Sequence, residues 1–335
     1  MSSTEHMRYH SAKGDWVTYR PEIKVLDCTI RDGGLMNNHR FEDSLVKAVY
    51  QTCVEAGVDY MELGYKAAKK IFAPAEFGCW KYCDEDAIRR IVGDNKTSLK
   101  LAVMADAERT DYHEDILPRE KSVIDMVRVA TYIHQVPTAI DMIKDAHQKG
   151  YETTVNLMAV STIQDRELDP ALEVLAASEV GTIYLVDSFG ALYSEQIQAL
   201  TRKYLKYAKA AGKEVGIHTH NNQQLAYANT IEAIILGANR IDASIAGLGR
   251  GAGNCPMELL IGFLHNPKFN LRPILRCIQD HIEPMREKLR WGFDIPYMIT
   301  GQLNQHPRTA MKFMESDSAK RKDIVAFFDS VIEEE

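Results

Sequence analysis

Several features that would place this chain in other classes of protein are missing from its 335 residues. No apolar run reaches the roughly 20 residues of a membrane-spanning helix. The opening stretch, MSSTEHMRYHSAKGDW, lacks the apolar core of a signal peptide. Basic blocks are also missing, and the formal net charge is −7, which argues against nucleic acid or an anionic membrane as a partner. We therefore expect a cytoplasmic protein with neither kind of partner.

Cysteine is scarce and forms no recognisable framework. The six cysteines are scattered, and the nearest pair, Cys79 and Cys83, has three residues between its members. Redox pairs and zinc knuckles place two residues between their thiols, so this spacing matches neither. We expect reduced thiols.

Short β-rich runs alternate along the chain with amphipathic helical stretches. The predicted strands are 25–30, 60–65, 99–104, 126–131, 153–160, 182–187, 214–220 and 240–245. Between the first two, Leu45, Val49 and Val54 recur at near-helical spacing, and Gly57 ends the stretch. Unbroken alternation indicates parallel strands, and eight units favour an α/β fold of the (β/α)8 TIM-barrel type over an open doubly wound sheet.

The pattern divides the chain into three predicted parts. Residues 1–22 form a polar N-terminal arm, 23–265 the TIM-barrel domain, and 266–335 a helical C-terminal extension packed on the barrel. The extension contains the helix-like stretches PILRCIQDHIEPMREKL and SAKRKDIVAFFDSVIEE, with WGFDIPYMITGQLNQHP between them.

Polar side chains collect at the predicted C-terminal ends of the strands, where TIM barrels place their chemistry. These are Arg31 and Asp32 after the first strand, Glu62 and Tyr65 on the second, Arg128 to Thr131 on the fourth, Asn156 on the fifth, Asp187 and Ser188 on the sixth, and His218 and His220 on the seventh. A purely structural explanation would place all of them near one rim by chance. The pattern predicts a polar site at the barrel mouth.

The stretch HTHNN presents two imidazoles on one side of a strand, because His218 and His220 are two residues apart. Taken alone, the pair is more often one bonded core histidine and one exposed histidine. Asp32, at another strand end and followed by two glycines, favours instead a three-ligand site for a divalent ion. Asn254 is a candidate fourth ligand. These mixed nitrogen and oxygen ligands suit Mn²⁺, Mg²⁺, Zn²⁺ and Co²⁺, and the ligand set does not choose among the four ions.

The loop GLGRGAGN, residues 247–254, follows the last predicted strand. Its alternate glycines do not match G-x-G-x-x-G, and no acidic residue stands at the distance of a ribose contact, which argues against a Rossmann site. We expect these glycines, Gly249 among them, to let the backbone approach the metal or to bind a substrate carboxylate or phosphate.

Arg31 lies beside the proposed ion. A guanidinium there can stabilise the oxygen of an enolate, the charge that develops when a 2-oxo acid loses a proton or an aldol bond breaks. A structural ion pair with Glu62 or Asp187 is compatible with this role. A Schiff-base aldolase would instead need a desolvated lysine inside the barrel. Lys66, Lys69 and Lys70 form a run that we expect to be exposed, so the metal route is favoured.

Five segments together resemble the DRE-TIM metallolyase superfamily, the HMG-CoA lyase-like or pyruvate carboxyltransferase domains. They are LDCTIRDGG, YMELGY, VRVAT, YLVDSFGAL and the long block that starts at GIHTHNN and ends at CPMELLI. The resemblance covers about residues 25 to 263, and it is nearest to 4-hydroxy-2-oxovalerate aldolase. It implies that Asp32, His218 and His220 bind a divalent ion and that Arg31 stabilises a pyruvate enolate. It places Asn254 as a further ligand or as a contact of one.

Two departures from this family stand in the first motif. The aldolase has a catalytic histidine three positions after the metal-binding aspartate, where this chain has Leu35. The synthases of the family have an acidic residue and a glutamine where Gly34 and Leu35 stand. The chain thus resembles a divergent aldolase branch whose proton-transfer group lies elsewhere. The candidates are His39, Tyr297 and His306, each of which could equally be structural.

The first functional hypothesis is a metal-dependent aldolase that cleaves or forms a 4-hydroxy-2-oxo acid, with a 2-oxo acid and an aldehyde as its partners. The predicted substrate-binding residues are Arg31, Glu62, Arg128, Asn156, Asp187 and Gly249. A Claisen-type acyl-CoA enzyme and a metal-binding barrel without chemistry are the alternatives. We expect a homo-oligomer, and nothing in the divergent C-terminal region supports the aldehyde dehydrogenase partner of some relatives.

Overall fold

The computed structural model of the protein describes residues 20–316 and 323–333. Eight parallel strands close into a barrel in chain order. They are β1 (Lys24–Asp27), β2 (Tyr60–Tyr65), β3 (Lys100–Asp106), β4 (Met126–Thr131), β5 (Glu152–Leu157), β6 (Thr182–Asp187), β7 (Glu214–Thr219) and β8 (Arg240–Ala243). Pairing of β1 with β8 closes the ring. The predicted TIM-barrel fold is confirmed.

Helices alternate with the strands and surround the barrel. They are α1 (Thr29–Gly33), α2 (Asp43–Ala56), α3 (Glu85–Val92), α4 (Tyr112–Asp115), α5 (Val136–Gln148), α6 (Asp165–Ala177), α7 (Ser194–Ala210), α8 (Ala226–Leu236), α9 (Met257–Leu264), α10 (Leu271–Cys277), α11 (Glu283–Met285), α12 (Ile295–Gln302), α13 (Arg308–Glu315) and α14 (Ile324–Glu333). In α2, Val49 is buried while Leu45 and Val54 pack against the core from its edge. Gly57 ends that helix with a φ of 74°, as predicted.

The first strand is shorter than predicted. It ends at Asp27, and Thr29–Gly33 form the short helix α1 where the sequence pattern indicated three further strand residues. The Asp27 carboxylate accepts hydrogen bonds from the Thr29 amide at 3.2 Å and the Thr29 hydroxyl at 2.6 Å. Such local side-chain bonds compete with strand pairing. Arg31 and Asp32 therefore project from a helical turn above the barrel rather than from a strand end.

Two different layers hold the barrel together. Apolar side chains fill the space between the sheet and the surrounding helices. The barrel interior holds a buried charged layer instead, formed by Glu62, Arg128 and Asp242. The Tyr184 ring lies in the same layer, 4.5 Å from the Arg128 guanidinium carbon. A Cβ on Gly216 would overlap this ring, so glycine is required there.

The C-terminal helices continue past the barrel. Helices α12, α13 and α14 share a small apolar cluster that includes Tyr297, Ala310 and Phe327. Asn222, just after β7, donates to the Tyr297 carbonyl at 3.4 Å, which ties α12 to the barrel mouth. The predicted arm, residues 1–22, lies almost wholly outside the described residues, and the domain boundaries remain predictions. Within the described part of the chain, no helix has the length and apolarity needed to cross a membrane.

Candidate active site

Three predicted metal ligands meet at the C-terminal mouth of the barrel. Asp32 comes from α1, His218 from β7 and His220 from the residue after β7 ends. One ligand atom from each lies within 4.8 Å of the others. Nδ1 of His220 is 3.8 Å from Oδ2 of Asp32, and the two imidazole centroids are 5.1 Å apart. All three side chains are buried, so the group forms one enclosed cluster.

The free atoms of this cluster suit a divalent ion. Nε2 of His218, Nδ1 of His220 and Oδ1 of Asn254 are buried without a hydrogen-bond partner among the described residues. Leaving such atoms unpaired costs about 1–3 kcal/mol each. Imidazole nitrogens, a carboxylate and an amide oxygen are ligands that Mn²⁺, Mg²⁺, Zn²⁺ and Co²⁺ all accept. The residues present therefore fit the predicted ion.

Asp242 orients His218. Its Oδ2 lies 3.0 Å from Nδ1 of His218, which leaves Nε2 of that ring facing the cluster. Arg128 donates to the same oxygen at 2.6 Å. Burial alone would raise the pKa of Asp242, but the Arg128 charge and the His218 hydrogen bond lower it. A carboxylate behind a ligating histidine fixes the ring and increases its basicity. Asp242 was not among the predicted site residues, although a lone acid in the apolar run RIDASIAG is a visible signal.

Replacing Asp242 by asparagine should weaken metal binding by about 10–100-fold, because His218 loses its anionic partner. Competition titration of the ion with a chelator measures this change. The exposed Asp86→Asn variant is the matched control and should bind like the unmodified chain. Equal affinities for the two variants would show that Asp242 plays no part in ligand orientation.

Arg31 lies between two carboxylates and is almost fully buried. Its Nε donates to Glu62 at 2.7 Å and its Nη1 to Asp32 at 2.6 Å. Burial opposes its charge, but the two carboxylates raise the pKa of Arg31 above its usual range. In return, although burial acts to raise it, the pKa of Asp32 lies far below its usual range because of Arg31 and the two histidines. The expected pair with Glu62 is present.

A chain of buried contacts joins this guanidinium to the Asp32–His218–His220 cluster through the barrel interior. Glu62 accepts from Arg31 and also from Nη1 of Arg128, at 3.0 Å. Arg128 in turn holds Asp242, which holds His218. Buried charges are stable only when paired and bonded in this way. The network fixes both Arg31 and His218 relative to the barrel wall.

The other predicted substrate-binding residues differ in whether their polar groups already have protein partners. The Arg128 guanidinium donates to Glu62 and Asp242. Asp187 does not pair with Arg31, because its carboxylate accepts from the amides of residues 191 and 192, at 3.0 and 3.4 Å. Asn156 is buried, and its Oδ1 has no partner among the described residues. Substrate contacts by these three side chains stay predictions.

The glycine-rich loop lies directly against the ligands. A Cβ on Gly249 would overlap Nδ2 of Asn254 and Oδ2 of Asp32. The amide of Arg250 donates to the same Asp32 oxygen at 3.3 Å, and Asn254 bridges to His220 through the backbone. The loop thus brings its backbone up to the cluster, as the glycine pattern indicated.

The His39 imidazole lies in the same loop region as Leu35, whose side chain cannot transfer a proton. The His39 ring is buried, and neither of its nitrogens has a partner among the described residues. A Cβ on Gly34 would overlap Nδ1 of His39, so this glycine makes room for the ring. Burial, helped by the charges of Lys81 and Arg31, lowers the pKa of His39 to about 3. The ring is therefore neutral near pH 7.

The two C-terminal candidates lie in different surroundings. Tyr297 is buried in the apolar cluster of the last helices, and burial raises its pKa to about 12. The His306 ring lies against Phe189, and its Nδ1 accepts from the Arg308 amide at 3.1 Å. Burial lowers the pKa of His306 to about 3.

A cavity of about 390 Å³ opens beside the cluster. Leu35, His39, Tyr65, Lys81, Arg250 and His306 are among its lining residues, and Tyr297 is not. Ligand sites have volumes of about 300–1,000 Å³. The cavity therefore has room for a small substrate, and His39 and His306 are the proton-transfer candidates that face it.

One expectation about the lysines is wrong. Lys66 is buried, and its Nζ donates to the Cys83 carbonyl at 2.8 Å. Its amide donates to the Met104 carbonyl of β3 at 2.8 Å, so the backbone pairing of β2 with β3 continues one residue past Tyr65. Lys69 and Lys70 are exposed and ion-paired, as expected. Lys81 is a second buried lysine that was not among the predicted site residues.

Comparison with known proteins identifies the family. A family model described as HMGL-like matches residues 22–280. A Mycobacterium tuberculosis protein named oxaloacetate decarboxylase is 30% identical over 74% of this chain and 71% of its own length. A 4-hydroxy-2-oxovalerate aldolase of Pelotomaculum thermopropionicum is 27% identical over 80% of this chain and 78% of its own.

A solved structure agrees with these matches. The N-terminal domain of a candidate aldolase from Bacteroides vulgatus superposes with a TM-score of 0.77 and 29% identity, over 89% of this chain and 98% of that domain. These findings confirm the predicted class, a metal-dependent lyase. The chain belongs to the HMGL-like family, the DRE-TIM metallolyases.

Proposed function

We propose that the protein is an aldolase that cleaves or forms a 4-hydroxy-2-oxo acid through a pyruvate enolate, with Mn²⁺ or Mg²⁺ as its ion. The observation that carries this proposal is the Arg31 guanidinium, held 2.6 Å from the Asp32 carboxylate of the Asp32–His218–His220 cluster. The relatives named 4-hydroxy-2-oxovalerate aldolase support it.

The ion, when bound, supplies a Lewis acid for the oxygens of a 2-oxo acid. Asp32 remains ionised at any physiological pH, because Arg31 and the histidines depress its pKa. His218 presents Nε2 because Asp242 occupies its other nitrogen. The ligand atoms of Asp32 and His218 are therefore preorganised to bind a cation at the barrel mouth.

Arg31 has one donor group left for the substrate. Its Nε and Nη1 are used by Glu62 and Asp32, whereas Nη2 makes no hydrogen bond to a described residue. A guanidinium fixed in this way can donate to an enolate oxygen without reorganising when the charge develops. We assign to Arg31 the stabilisation of the pyruvate enolate.

His39 is the proton-transfer group that the geometry favours. Its neutral ring lines the cavity with both nitrogens unpartnered among the described residues, so one nitrogen can accept the proton of the substrate 4-hydroxyl. Breaking the C3–C4 bond then releases an aldehyde and leaves the enolate beside Arg31. His306, on another wall of the same cavity, is the alternative.

Exchange of pyruvate methyl protons for deuterium tests the proposal without any aldehyde. The metal-loaded protein in D₂O should deplete the methyl signal in a proton NMR time course, because enolate formation is reversible. Protein from which a chelator has removed the ion is the control. A metal-loaded protein that leaves the methyl signal at the buffer rate would contradict the proposed enolate.

Oxaloacetate decarboxylation is a second candidate, favoured by the relative of that name at 30% identity. Loss of CO₂ breaks the same C3–C4 bond and leaves the same enolate at Arg31. Pyruvate formation from oxaloacetate, followed with lactate dehydrogenase, tests it. The Claisen-type alternative stays a prediction, and free thiol released from acetyl-CoA with 2-oxo acids would reveal it.

A further inference from the structure

Lys81 is a buried lysine that forms no ion pair with a described residue, and the charge of Asp106 acts on it only from beyond ion-pair distance. It lies at the end of the turn Cys79–Lys81, is only 6% exposed, and lines the cavity beside the metal cluster. Its Nζ stands over the rings of Tyr65 and Phe72, 4.4 and 4.2 Å from their centroids. It makes no hydrogen bond or ion pair of 4 Å or less with any residue that the structure describes. Such a group is costly to bury unless an anion joins it.

Three arginines line the same cavity, one of them partly buried and two exposed. Arg109, Arg250 and Arg308 line it, and within residues 20–316 and 323–333 none of them forms an ion pair with a carboxylate. Nη2 of Arg250 donates to the Ser188 carbonyl at 2.6 Å and lies near His220, and its Nε is buried without a partner among the described residues. Asp106 is the acidic residue among those lining the cavity. The cavity is therefore strongly cationic in a chain of net charge −7.

Arg250 connects the cavity to the Asp32–His218–His220 cluster. The Arg250 amide lies 3.3 Å from Oδ2 of Asp32, and its Nη2 lies 3.4 Å from Nε2 of His220. His39, the assigned proton-transfer group, faces the same space. A pyruvate unit held at the cluster and Arg31 therefore leaves the aldehyde half of the substrate among these cations.

We infer that the aldehyde half of the substrate carries an anionic group, a carboxylate or a phosphate, that binds Lys81 and the cavity arginines. This inference rests on the proposed aldolase function and adds the substrate class to it. Lys81 is the main determinant, because it is the most deeply buried of the four cations. Charge-assisted hydrogen bonds are shorter and stronger than neutral ones, and Arg and Lys are the residues that bind carboxylates and phosphates.

Matched aldehyde pairs test this inference on the full-length, Mn²⁺-loaded protein. Butanal is compared with succinic semialdehyde, and glyceraldehyde with glyceraldehyde 3-phosphate, each with pyruvate as the donor. We expect kcat/KM for aldol addition to favour the anionic member by about 10–100-fold, the range of a charge-assisted hydrogen bond. The pair with the larger preference distinguishes carboxylate from phosphate recognition.

Lys81→Met keeps the length of the side chain and removes its charge. It should reduce the anionic preference about tenfold or more, while Lys81→Arg should retain most of it. Lys69→Met, at an exposed lysine paired with Asp84, is the matched control and should leave the preference unchanged. Should Lys81→Met fail to fold, the exposed Arg308→Gln variant provides the same comparison with a smaller expected loss.

Pyruvate deuterium exchange distinguishes failure of the proposed aldolase function from failure of the inferred anion binding. If the protein exchanges the pyruvate methyl protons but has equal kcat/KM for charged and neutral aldehydes, the inference is wrong. The proposed aldolase function is then still supported. Absence of exchange overturns the proposed function and the inference with it. A preference that survives Lys81→Met and Arg308→Gln unchanged would also overturn the assignment of this cavity.

Discussion

Replacing His39 by alanine is expected to slow cleavage of a 4-hydroxy-2-oxo acid by about 10²–10⁴-fold, the usual contribution of a general acid or base. The residue lines the cavity, both ring nitrogens are buried without a described partner, and the depressed pKa of His39 keeps the ring neutral near pH 7. Pyruvate release, coupled to lactate dehydrogenase, measures the rate. Metal content should stay unchanged, because His39 is not one of the clustered ligands.

Gly34→Ala provides an independent route to the same loss. Its Cβ would overlap Nδ1 of His39 and push the ring out of place. Gly262→Ala is the matched control, since a Cβ there meets nothing within 4 Å. If His39→Ala cleaves the substrate within about threefold of the unmodified rate, well below the usual contribution, the role passes to His306, and His306→Ala should then show the larger loss.

Replacing Arg31 by lysine is expected to slow pyruvate deuterium exchange by about 10²–10³-fold, the loss seen when a donor to a developing oxyanion is removed. Lysine keeps the charge but lacks the planar fork that pairs with Glu62 and Asp32 while presenting Nη2. Exchange is measured by proton NMR at saturating metal.

Metal content and a control variant show whether a slower exchange by Arg31→Lys comes from the lost enolate contact. The variant should still bind its ion, so metal content separates a lost enolate contact from a lost cluster. Arg202→Lys, at an exposed arginine on α7, should exchange at the unmodified rate. If Arg31→Lys exchanges the methyl protons at the unmodified rate, the guanidinium does not stabilise the enolate.

Much of the fold is visible in the sequence because strand and helix periodicities are local. Strands β2, β4 and β6 have the predicted bounds. β1 was predicted too long because two hydrogen bonds from Thr29 to the Asp27 carboxylate turn the chain, and apolar periodicity carries no sign of them. The glycine stop of α2 was predictable, since Gly57 takes a φ of 74° that other residues rarely adopt.

The site was predictable only where its residues are close in sequence or carry a recognisable motif. His218 and His220 share a face because of the strand period, and Asp32 lies in the LDCTIRDGG motif. Asp242 meets His218 only after the barrel closes, so no local pattern links them. Lys81 reaches the cavity through a loop whose path depends on tertiary packing.

The position of the His39 ring could not be predicted from the sequence, because it depends on an unusual backbone conformation. Asn38 and His39 have φ values of 54° and 58°, in the left-handed region. Together they fold the loop back over Gly34 and bring the ring beside the motif that lacks a histidine. Residue order alone placed His39 seven positions beyond Asp32, with no indication of this return.

The central claim is that Asp32, His218 and His220 hold one divalent ion. The most direct measurement is the Mn²⁺ content of the purified chain after metal loading and gel filtration, for the unmodified protein, Asp32→Ala, and the exposed control Asp86→Ala. We predict a single bound ion for the unmodified chain and the control, and close to none for Asp32→Ala. An Asp32→Ala chain that retains the ion in full would contradict the account.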